Sequence, residues 1–227
     1  TVNVDNGTVA TFSEGVTAVT ITLTGDAVFM KEATATTIAL VAGKATFNNA
    51  AARTIAGAIT ETEGATELAV YNSADDEAPS VATFSGAVTV DTITIGTSTK
   101  AGIALFNSTV AGAATIVGGN ADTEDSKMEV TEDYAGAIVL TQAGDGDAEF
   151  KTSGSSAITI SGAITVDADA GGVITAANTG GTTFAAIGAD DAKALTVTVD
   201  SGADALFGGA VEATTLTING DVIIQAS

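Results

Sequence analysis

Apolar and polar residues alternate in short runs along most of the chain. Residues 19–23, 88–90 and 195–199 place a β-branched or aliphatic residue at every second position. Because successive side chains of a strand point to opposite faces, a period of two predicts half-buried β-strands. Many runs end in Gly, Asp or Asn, which favour turns, and no segment shows a sustained helical period. The pattern predicts an all-β protein.

The eight phenylalanines mark an internal repeat. Each Phe follows a small residue two positions earlier, in phrases that read ATF, AVF, ATF, ATF, ALF, AEF, TTF and ALF, and AVY is a similar phrase. Residues i and i−2 of a strand share a face, so each phrase predicts an inward aromatic beside an inward small side chain. We favour a core ladder of these aromatics over an exposed aromatic binding platform. The predicted ladder consists of Phe12, Phe29, Phe47, Tyr71, Phe84, Phe106, Phe150, Phe184 and Phe207.

The spacing of the aromatics indicates how the repeat is organised. The two longest intervals, of 44 and 34 residues, correspond to two coils each, with Phe replaced near 128–130 and 173–174. This predicts one repeat array over residues 1–227, with about ten coils of roughly 17–24 residues and turn insertions near 74–78 and 120–126. Short coils joined by turns favour a parallel β-solenoid (a β-helix), about 50 Å long at about 4.8 Å per coil. An antiparallel β-sandwich of similar strands is the alternative.

The repeat pattern reaches both termini. Residues 1–7 already alternate and turn, and residues 222–225 stand where a further phrase would begin. Neither end carries an amphipathic helix or a Pro-rich cover, so both ends are expected to expose unpaired strand edges. Such a chain is either a slice of a longer repeat protein or a subunit whose ends pair with neighbouring copies.

Charge excludes several partners. The chain has 7 basic and 28 acidic residues and a net charge of −21. A polyanion repels phosphate backbones, so no nucleic-acid partner is expected. Its apolar runs are far shorter than the roughly 20 residues of a membrane span. The sequence therefore predicts neither nucleic-acid binding nor a membrane span.

Composition also argues against most enzyme classes. The chain has no His and no Cys, which removes imidazole bases, Ser-His-Asp triads, thiol nucleophiles and the usual zinc ligands. It has no Trp to stack a sugar, and a single Arg, Arg53. We expect a protein that is not an enzyme and has no catalytic residues.

Acidic turns are the candidate metal ligands. Calcium takes six to eight oxygen ligands, and carboxylates at alternate positions together with backbone carbonyls can supply them. No turn matches an EF-hand or a calcium β-roll repeat, and a solvated acidic loop is the alternative. The candidate calcium ligands are Asp145, Asp147, Glu149, Asp167, Asp169, Asp122 and Asp125.

Thr-x-Thr phrases raise a further possibility. Outward Thr rows on a flat solenoid resemble the faces of ice-binding proteins. Those faces need a nearly constant coil length, whereas the spacings here vary. Ice binding is therefore only a minor alternative. The phrases are Thr20/Thr22/Thr24, Thr92/Thr94, Thr196/Thr198 and Thr215/Thr217.

Two phrases resemble the repeats of bacterial cell-surface proteins. Residues 82–90, ATFSGAVTV, and 205–211, ALFGGAV, are similar in style to autotransporter-passenger regions and S-layer-like proteins. The resemblance implies export to the cell surface, a structural or adhesive role and no catalytic residues. We therefore expect a secreted structural subunit of an extracellular filament, sheath or surface layer, which assembles with copies of itself through its end edges. The alternative is an adhesin segment that binds a partner through the insertions near 74–78 and 120–126.

Overall fold

The computed structural model of the chain describes residues 1–48, 52–71, 81–119, 125–143, 145–167, 171–188 and 194–225. These residues form 24 strands and no helix. The strands are β1 (Val2–Val4), β2 (Val9–Phe12), β3 (Val16–Leu23), β4 (Asp26–Phe29), β5 (Ala33–Leu40), β6 (Gly43–Asn48), β7 (Arg53–Glu61), β8 (Thr66–Tyr71), β9 (Val81–Phe84), β10 (Val88–Ile95), β11 (Ile103–Phe106), β12 (Val110–Gly118), β13 (Ser126–Val130), β14 (Tyr134–Ala135), β15 (Ile138–Gln142), β16 (Ala148–Thr152), β17 (Ile158–Ile160), β18 (Ile164–Val166), β19 (Gly171–Ala176), β20 (Thr182–Phe184), β21 (Ala194–Val199), β22 (Asp204–Phe207), β23 (Thr215–Ile218) and β24 (Asp221–Ile224).

The paired strands are all parallel, and they wind into a β-solenoid of about nine turns. This confirms the predicted parallel β-solenoid, and the antiparallel sandwich does not form. Each turn adds 17 to 29 residues, as the paired positions from Val16 and Ala33 to Val199 and Ile218 show. About nine turns rather than ten give a stack about 43 Å long at about 4.8 Å per turn.

Three sheets surround the core, and we call them faces A, B and C. Face A contains β1, β14, β17, β20, β22 and β24, together with the later parts of β3, β5 and β7 and the first parts of β10 and β12. Face B contains the first parts of β3, β5 and β7, then β9, β11, β13, β16, β19, β21 and β23. Face C contains β2, β4, β6 and β8, the later parts of β10 and β12, and then β15 and β18.

Vertical columns of apolar side chains form the core. On face A one column runs through Ile38, Ile59, Val88 and Val110 and reaches Phe207, and each of these side chains is at most 2% exposed. Small and β-branched residues fill the narrow space between three close sheets, which explains how a chain with 4% aromatic residues builds a closed core. The alternation seen in the sequence thus separates core from surface.

Seven of the eight phenylalanines form three short stacks rather than one ladder, and Phe150 instead meets Tyr134 edge-on at 6.2 Å. Rings 12, 29 and 47 stack on face C with centroids 5.0 and 4.9 Å apart, rings 84 and 106 stack on face B at 4.8 Å, and rings 184 and 207 stack on face A at 5.4 Å. Phe47 meets Phe84 edge-on at 5.3 Å across the core. The repeated phrase therefore moves from face C to face B and then to face A along the chain.

Two members of the predicted ladder differ from the expectation. Tyr71 is half-buried and pairs with Asn48, while Val70 occupies the inward position above Phe47. Phe12 is half-exposed because no strand covers the outer edge of β2 in the described chain. The other seven phenylalanines are at most 1% exposed, and the residue two positions before each of them is also buried.

Glycines occupy a corner between faces A and C, where successive turns leave no room for a Cβ. Gly112, Gly136 and Gly162 stack there, and a Cβ added to Gly136 would lie 2.0 Å from the carbonyl oxygen of Gly112. Gly136 has a φ of +142°, a conformation that residues with a Cβ rarely adopt. The Gly-Ala-apolar phrase that follows each corner is therefore a second structural signature of the repeat.

Candidate functional site

The C-terminal edge of the solenoid exposes apolar side chains. β23 pairs only with β21 and β24 only with β22 in the described chain, so each has an open outer edge. Ile218 is 48% exposed and Ile224 is 56% exposed, although both continue columns that are buried one turn earlier, at Val199 and Phe207. Exposed apolar groups beside unpaired backbone donors and acceptors form a surface suited to strand addition.

The N-terminal edge is open in the same way. β1 pairs with β3, and β2 pairs with β4, and their other sides carry no partner strand in the described residues. Val2, Phe12 and Val16 pack against the core but remain half-exposed. The apolar columns of the core therefore begin at this edge and finish at the C-terminal edge.

The two edges match column by column. On face A the column that starts at Val2 ends at Ile224, and on face B the column that starts at Val16 ends at Ile218. On face C the column from Ala10 ends at Val211, which two isolated bridges through Ile187 join to β18. One copy placed on the next in the same orientation would continue all three columns.

The predicted calcium ligands lie on different elements. Asp145 and Asp167 are exposed in turns, and Asp122 and Asp169 lie outside the described residues. Asp125 is exposed, and its Oδ1 accepts the backbone N–H of Asp147 at 2.8 Å. Within the described chain no three His, Cys, Asp or Glu residues are grouped to hold a metal ion. Calcium binding stays a prediction, which the melting temperature in millimolar calcium against chelator tests.

Glu149 has a different setting from the other predicted ligands. It lies in β16, where its side chain accepts the hydroxyl of Thr175 at 3.1 Å and lies 4.0 Å from Lys127 Nζ. Its carboxylate therefore already has a hydroxyl and a cation as neighbours. Such a carboxylate is part of a surface charge network on face B.

Several acidic side chains connect neighbouring turns. Asp133 Oδ1 accepts the backbone N–H of Thr159 at 2.7 Å, across one turn of the solenoid. A carboxylate that accepts an amide makes a charge-assisted hydrogen bond where the ladder is interrupted at a corner. This bond gives turn acids a structural role that their sequence pattern did not reveal. The same arrangement joins Asp26 to the amide of Lys44 and Asp91 to that of Thr66, and the neutral side chain of Gln142 accepts the amide of Gly171 in the same position.

The Thr-x-Thr phrases lie on more than one face. Thr20 and Thr22 are on face A, where Thr22 pairs with Ala39, and Thr94 is on face C between Ala69 and Thr115. On face B five threonines stack near the C-terminal edge: Thr175, Thr196, Thr198, Thr215 and Thr217. The rows predicted from sequence therefore do not combine into one face.

A block of four charges occupies the middle of face B. Lys127 pairs in register with Glu149 on the next turn, and Glu129 with Lys151. Lys127 Nζ lies 3.0 Å from Glu129 Oε2, and Ser153 donates a 2.6 Å hydrogen bond to Glu129. These contacts hold the pKa of Glu129 below its usual range: burial would raise it, but the Ser153 hydrogen bond and the two lysines outweigh burial.

Two buried polar residues were not predicted. Tyr134 is 1% exposed in the face A column, and its hydroxyl donates to the carbonyl of Gly112; burial raises its pKa. Arg53 is 6% exposed at an inward position that pairs with Ala82, and its Nη1 donates to the carbonyl of Phe29 at 3.3 Å. Burial lowers the pKa of Arg53, while Glu32 opposes the shift. Neither residue follows the small-x-aromatic phrase, so that signal could not find them.

Shallow grooves lie along the outside of face A. One, of about 450 Å³, is lined by Asp133, Tyr134 and Thr159 among others, and another, of about 410 Å³, includes Asp204 and Asp221. Asp204 and Asp221 are neighbours in register. Both grooves are open to solvent. The insertion near 74–78 lies outside the described residues, as do residues 120–124 of the second insertion.

Comparison with protein-family models, with curated proteins and with solved structures finds no match to this chain. Among the described residues there is no helix with the length and apolarity that crossing a bilayer requires.

Proposed function

We propose that this chain is a structural, non-enzymatic segment of an extracellular filament, sheath or surface layer, and that copies associate end to end. The observation that carries the proposal is the match between the two open edges. Three apolar columns begin half-exposed at the N-terminal edge and end at the C-terminal edge on the same three faces, two of them at the exposed Ile218 and Ile224 and the third at the half-buried Val211. The extracellular location rests on the resemblance to cell-surface repeats.

End-to-end contact would satisfy two kinds of group at once. The side chains of Ile218 and Ile224 would be buried against the start of the next copy, at about 25 cal/mol per Å² of apolar area. The backbone donors and acceptors of β23 and β24 would pair with those of β3 and β1. Neither edge carries a block of like charge within these columns. The repulsion that comes from the net charge of −21 therefore acts mainly through acidic residues outside the columns.

The test is negative-stain electron microscopy of the purified chain with millimolar calcium and with chelator. We expect fibres that are each about one solenoid in width, or sheets built from such fibres. A difference between the two conditions would give the acidic turns a role in assembly. Isolated rods of one chain length in both conditions, at high protein concentration, would contradict the proposal and favour an adhesin segment.

Two substitutions in one strand provide a matched pair. Ile224→Lys places a charge in the face A column, whereas Ile223→Lys changes the neighbouring side chain, which is 64% exposed and points to the opposite side of β24. We expect Ile224→Lys to abolish fibres and Ile223→Lys to leave them. Equal effects would show that the columns do not form the contact.

A further inference from the structure

We infer that face B is a second self-association surface, on which two copies pack side by side in parallel. The inference deepens the proposed function, since it describes how filaments formed end to end would join into wider sheets, and it rests on that function. Its argument starts from the charge block of β13 and β16, which consists of Lys127, Glu129, Glu149 and Lys151.

The block alternates in sign in both directions. Along each strand a Lys and a Glu stand two positions apart, and across the strands Lys127 lies beside Glu149 while Glu129 lies beside Lys151. When a second copy faces the first across a two-fold axis parallel to the solenoid, Lys127 meets Glu129 of the second copy, and Glu149 meets its Lys151. The pattern is therefore complementary to itself.

The neighbouring rows support the parallel arrangement. Towards the N-terminus the next outward pair is Ile103 and Leu105, and towards the C-terminus it is Val173 and Thr175. A two-fold axis along the solenoid sets each row against the same row of the other copy, so Ile103 meets Leu105 of the second copy and Val173 meets its Thr175. An antiparallel arrangement centred on the block would also match the charges, but it would set the three rows of β19, β21 and β23 against the two rows of β11 and β9, so it would cover less of this surface.

Face B is also a place where this polyanion presents balanced charge. The outward positions of β9, β11, β13, β16, β19, β21 and β23 that pair in register carry two Lys and two Glu in the described chain. Two copies of a chain with a net charge of −21 repel each other, and they repel least where the local charge is zero. Charge complementarity thus selects a second copy as the occupant.

The charged side chains are held in position before any contact forms. Lys127 and Glu129 are 24% and 21% exposed, and they contact each other at 3.0 Å. Ser153 and Thr175 donate to the two glutamates. Side chains that are already ordered lose less entropy when they bind.

The available area sets the strength of the contact. Seven strands about 4.8 Å apart, each presenting about five residues, offer about 500 Å² per copy. About 1,000 Å² in total lies at the lower limit of specific interfaces, so two isolated chains pair weakly. Along filaments the same contact repeats once per chain, and the combined strength rises steeply.

Charge reversal in a chain with blocked ends tests the inference. Ile218→Lys with Ile224→Lys removes the end contacts, and sedimentation velocity then reports lateral pairs alone. On this background, Lys127→Glu with Lys151→Glu makes the block wholly acidic, and Glu129→Lys with Glu149→Lys makes it wholly basic. We expect each reversed variant to dimerise at least about tenfold more weakly than the end-blocked parent, and an equimolar mixture of the two to recover dimers.

Three controls separate pairing from other effects. Lys31→Glu with Lys44→Glu changes the net charge by the same amount as the acidic block but lies off face B, so it should leave dimers intact. Circular dichroism and melting temperature establish that each variant is folded. If the like charges placed next to each other unfold a reversed variant, Lys127→Gln with Glu129→Gln provides a substitute. It removes the charges of the β13 row without creating like-charge neighbours, and it should also weaken dimers.

The outcomes distinguish the two contacts. An end-blocked parent that stays monomeric at several hundred micromolar, or reversed variants that dimerise as well as the parent, would overturn the lateral contact. If that contact fails but the ends associate, the unmodified chain gives fibres one solenoid wide. If the ends do not associate but the lateral contact forms, the unmodified chain gives discrete pairs of rods.

Discussion

Close packing at single glycines sets the shape of each corner. A Cβ at Gly136 would lie 2.0 Å from a backbone oxygen of the turn below, and backbone cannot move aside as a flexible side chain can. We expect Gly136→Ala to lower the free energy of unfolding by about 2–4 kcal/mol, from the clash together with the positive φ. Gly202→Ala is the matched control, because Gly202 also has a positive φ, of +79°, but nothing lies within 4 Å of its Cβ position. We expect it to cost about 1 kcal/mol, and equal losses in urea unfolding would contradict the packing argument.

Glu129 makes stability depend on pH. Its folded pKa is below its unfolded value, because the hydrogen bond from Ser153 and the charges of Lys127 and Lys151 outweigh burial. A depressed pKa stabilises the fold above the unfolded pKa, and this contribution is lost as the pH falls through the folded value. We therefore expect Glu129→Gln to lower the melting temperature more at pH 7 than at pH 3. Glu14, 83% exposed, provides the control, since Glu14→Gln should change little at either pH. A difference between Glu129→Gln and the parent that is as large at pH 3 as at pH 7 would contradict this origin.

At the scale of the element, each phenylalanine stack joins adjacent turns. Phe29 is fully buried between rings 12 and 47, at 5.0 and 4.9 Å. Phe29→Ala leaves a cavity that the three surrounding sheets cannot close, and we expect a loss of about 3–5 kcal/mol. Phe12→Ala removes the same side chain at the half-exposed end of the stack, and we expect a clearly smaller loss. Chemical denaturation of both variants measures the difference, and similar losses would show that the stack does not act through burial.

The sequence predicts the strands and their inward residues well, but not the face on which each strand lies. Alternation and the small-x-Phe phrase are local signals, and they read the same on any of three equivalent sheets. Turn length decides the face, so the phrase of Phe47 lies on face C and that of Phe84 on face B. The sequence also predicts other residues in place of Phe near 128–130 and 173–174. Met128 and Ile174 occupy these places, since each pairs in register with Phe150 on a neighbouring turn.

Surface chemistry was harder to predict for a physical reason. An acidic residue in a turn has the same sequence pattern whether it binds water, a cation or the amide of the next turn. Asp125 and Asp133 bond to amides on neighbouring turns, and the partner of each lies more than 20 positions away. The small-x-aromatic phrase did not identify Tyr134 as a core residue, because Glu132 rather than a small residue stands two positions before it. Contacts between turns depend on register, which the sequence pattern of a single turn does not contain.

At the scale of the whole molecule, charge and open edges act together. In the assembly proposed above, a net charge of −21 would keep copies apart over most orientations, while the apolar edges and the balanced block on face B would allow approach in a few. Such a chain is expected to assemble in one order. The proposed end contacts would continue the core and bury apolar groups, so we expect them to form first, and we expect the weaker lateral contact to act once filaments present it repeatedly.

Hydrogen exchange follows both steps without substitutions. In the dispersed chain, β24 has one neighbouring strand and exposed side chains, whereas β16 lies between β13 and β19 and contains the fully buried Phe150. We expect amides of β24 to exchange orders of magnitude faster than those of β16, because opening a terminal strand disrupts fewer contacts. As protein concentration rises, end association should slow exchange in β1 and β24 together, since each covers the other. Slowing at one edge alone would contradict head-to-tail stacking, and no change at either edge while large assemblies form would show that copies associate only through the sides of the solenoid.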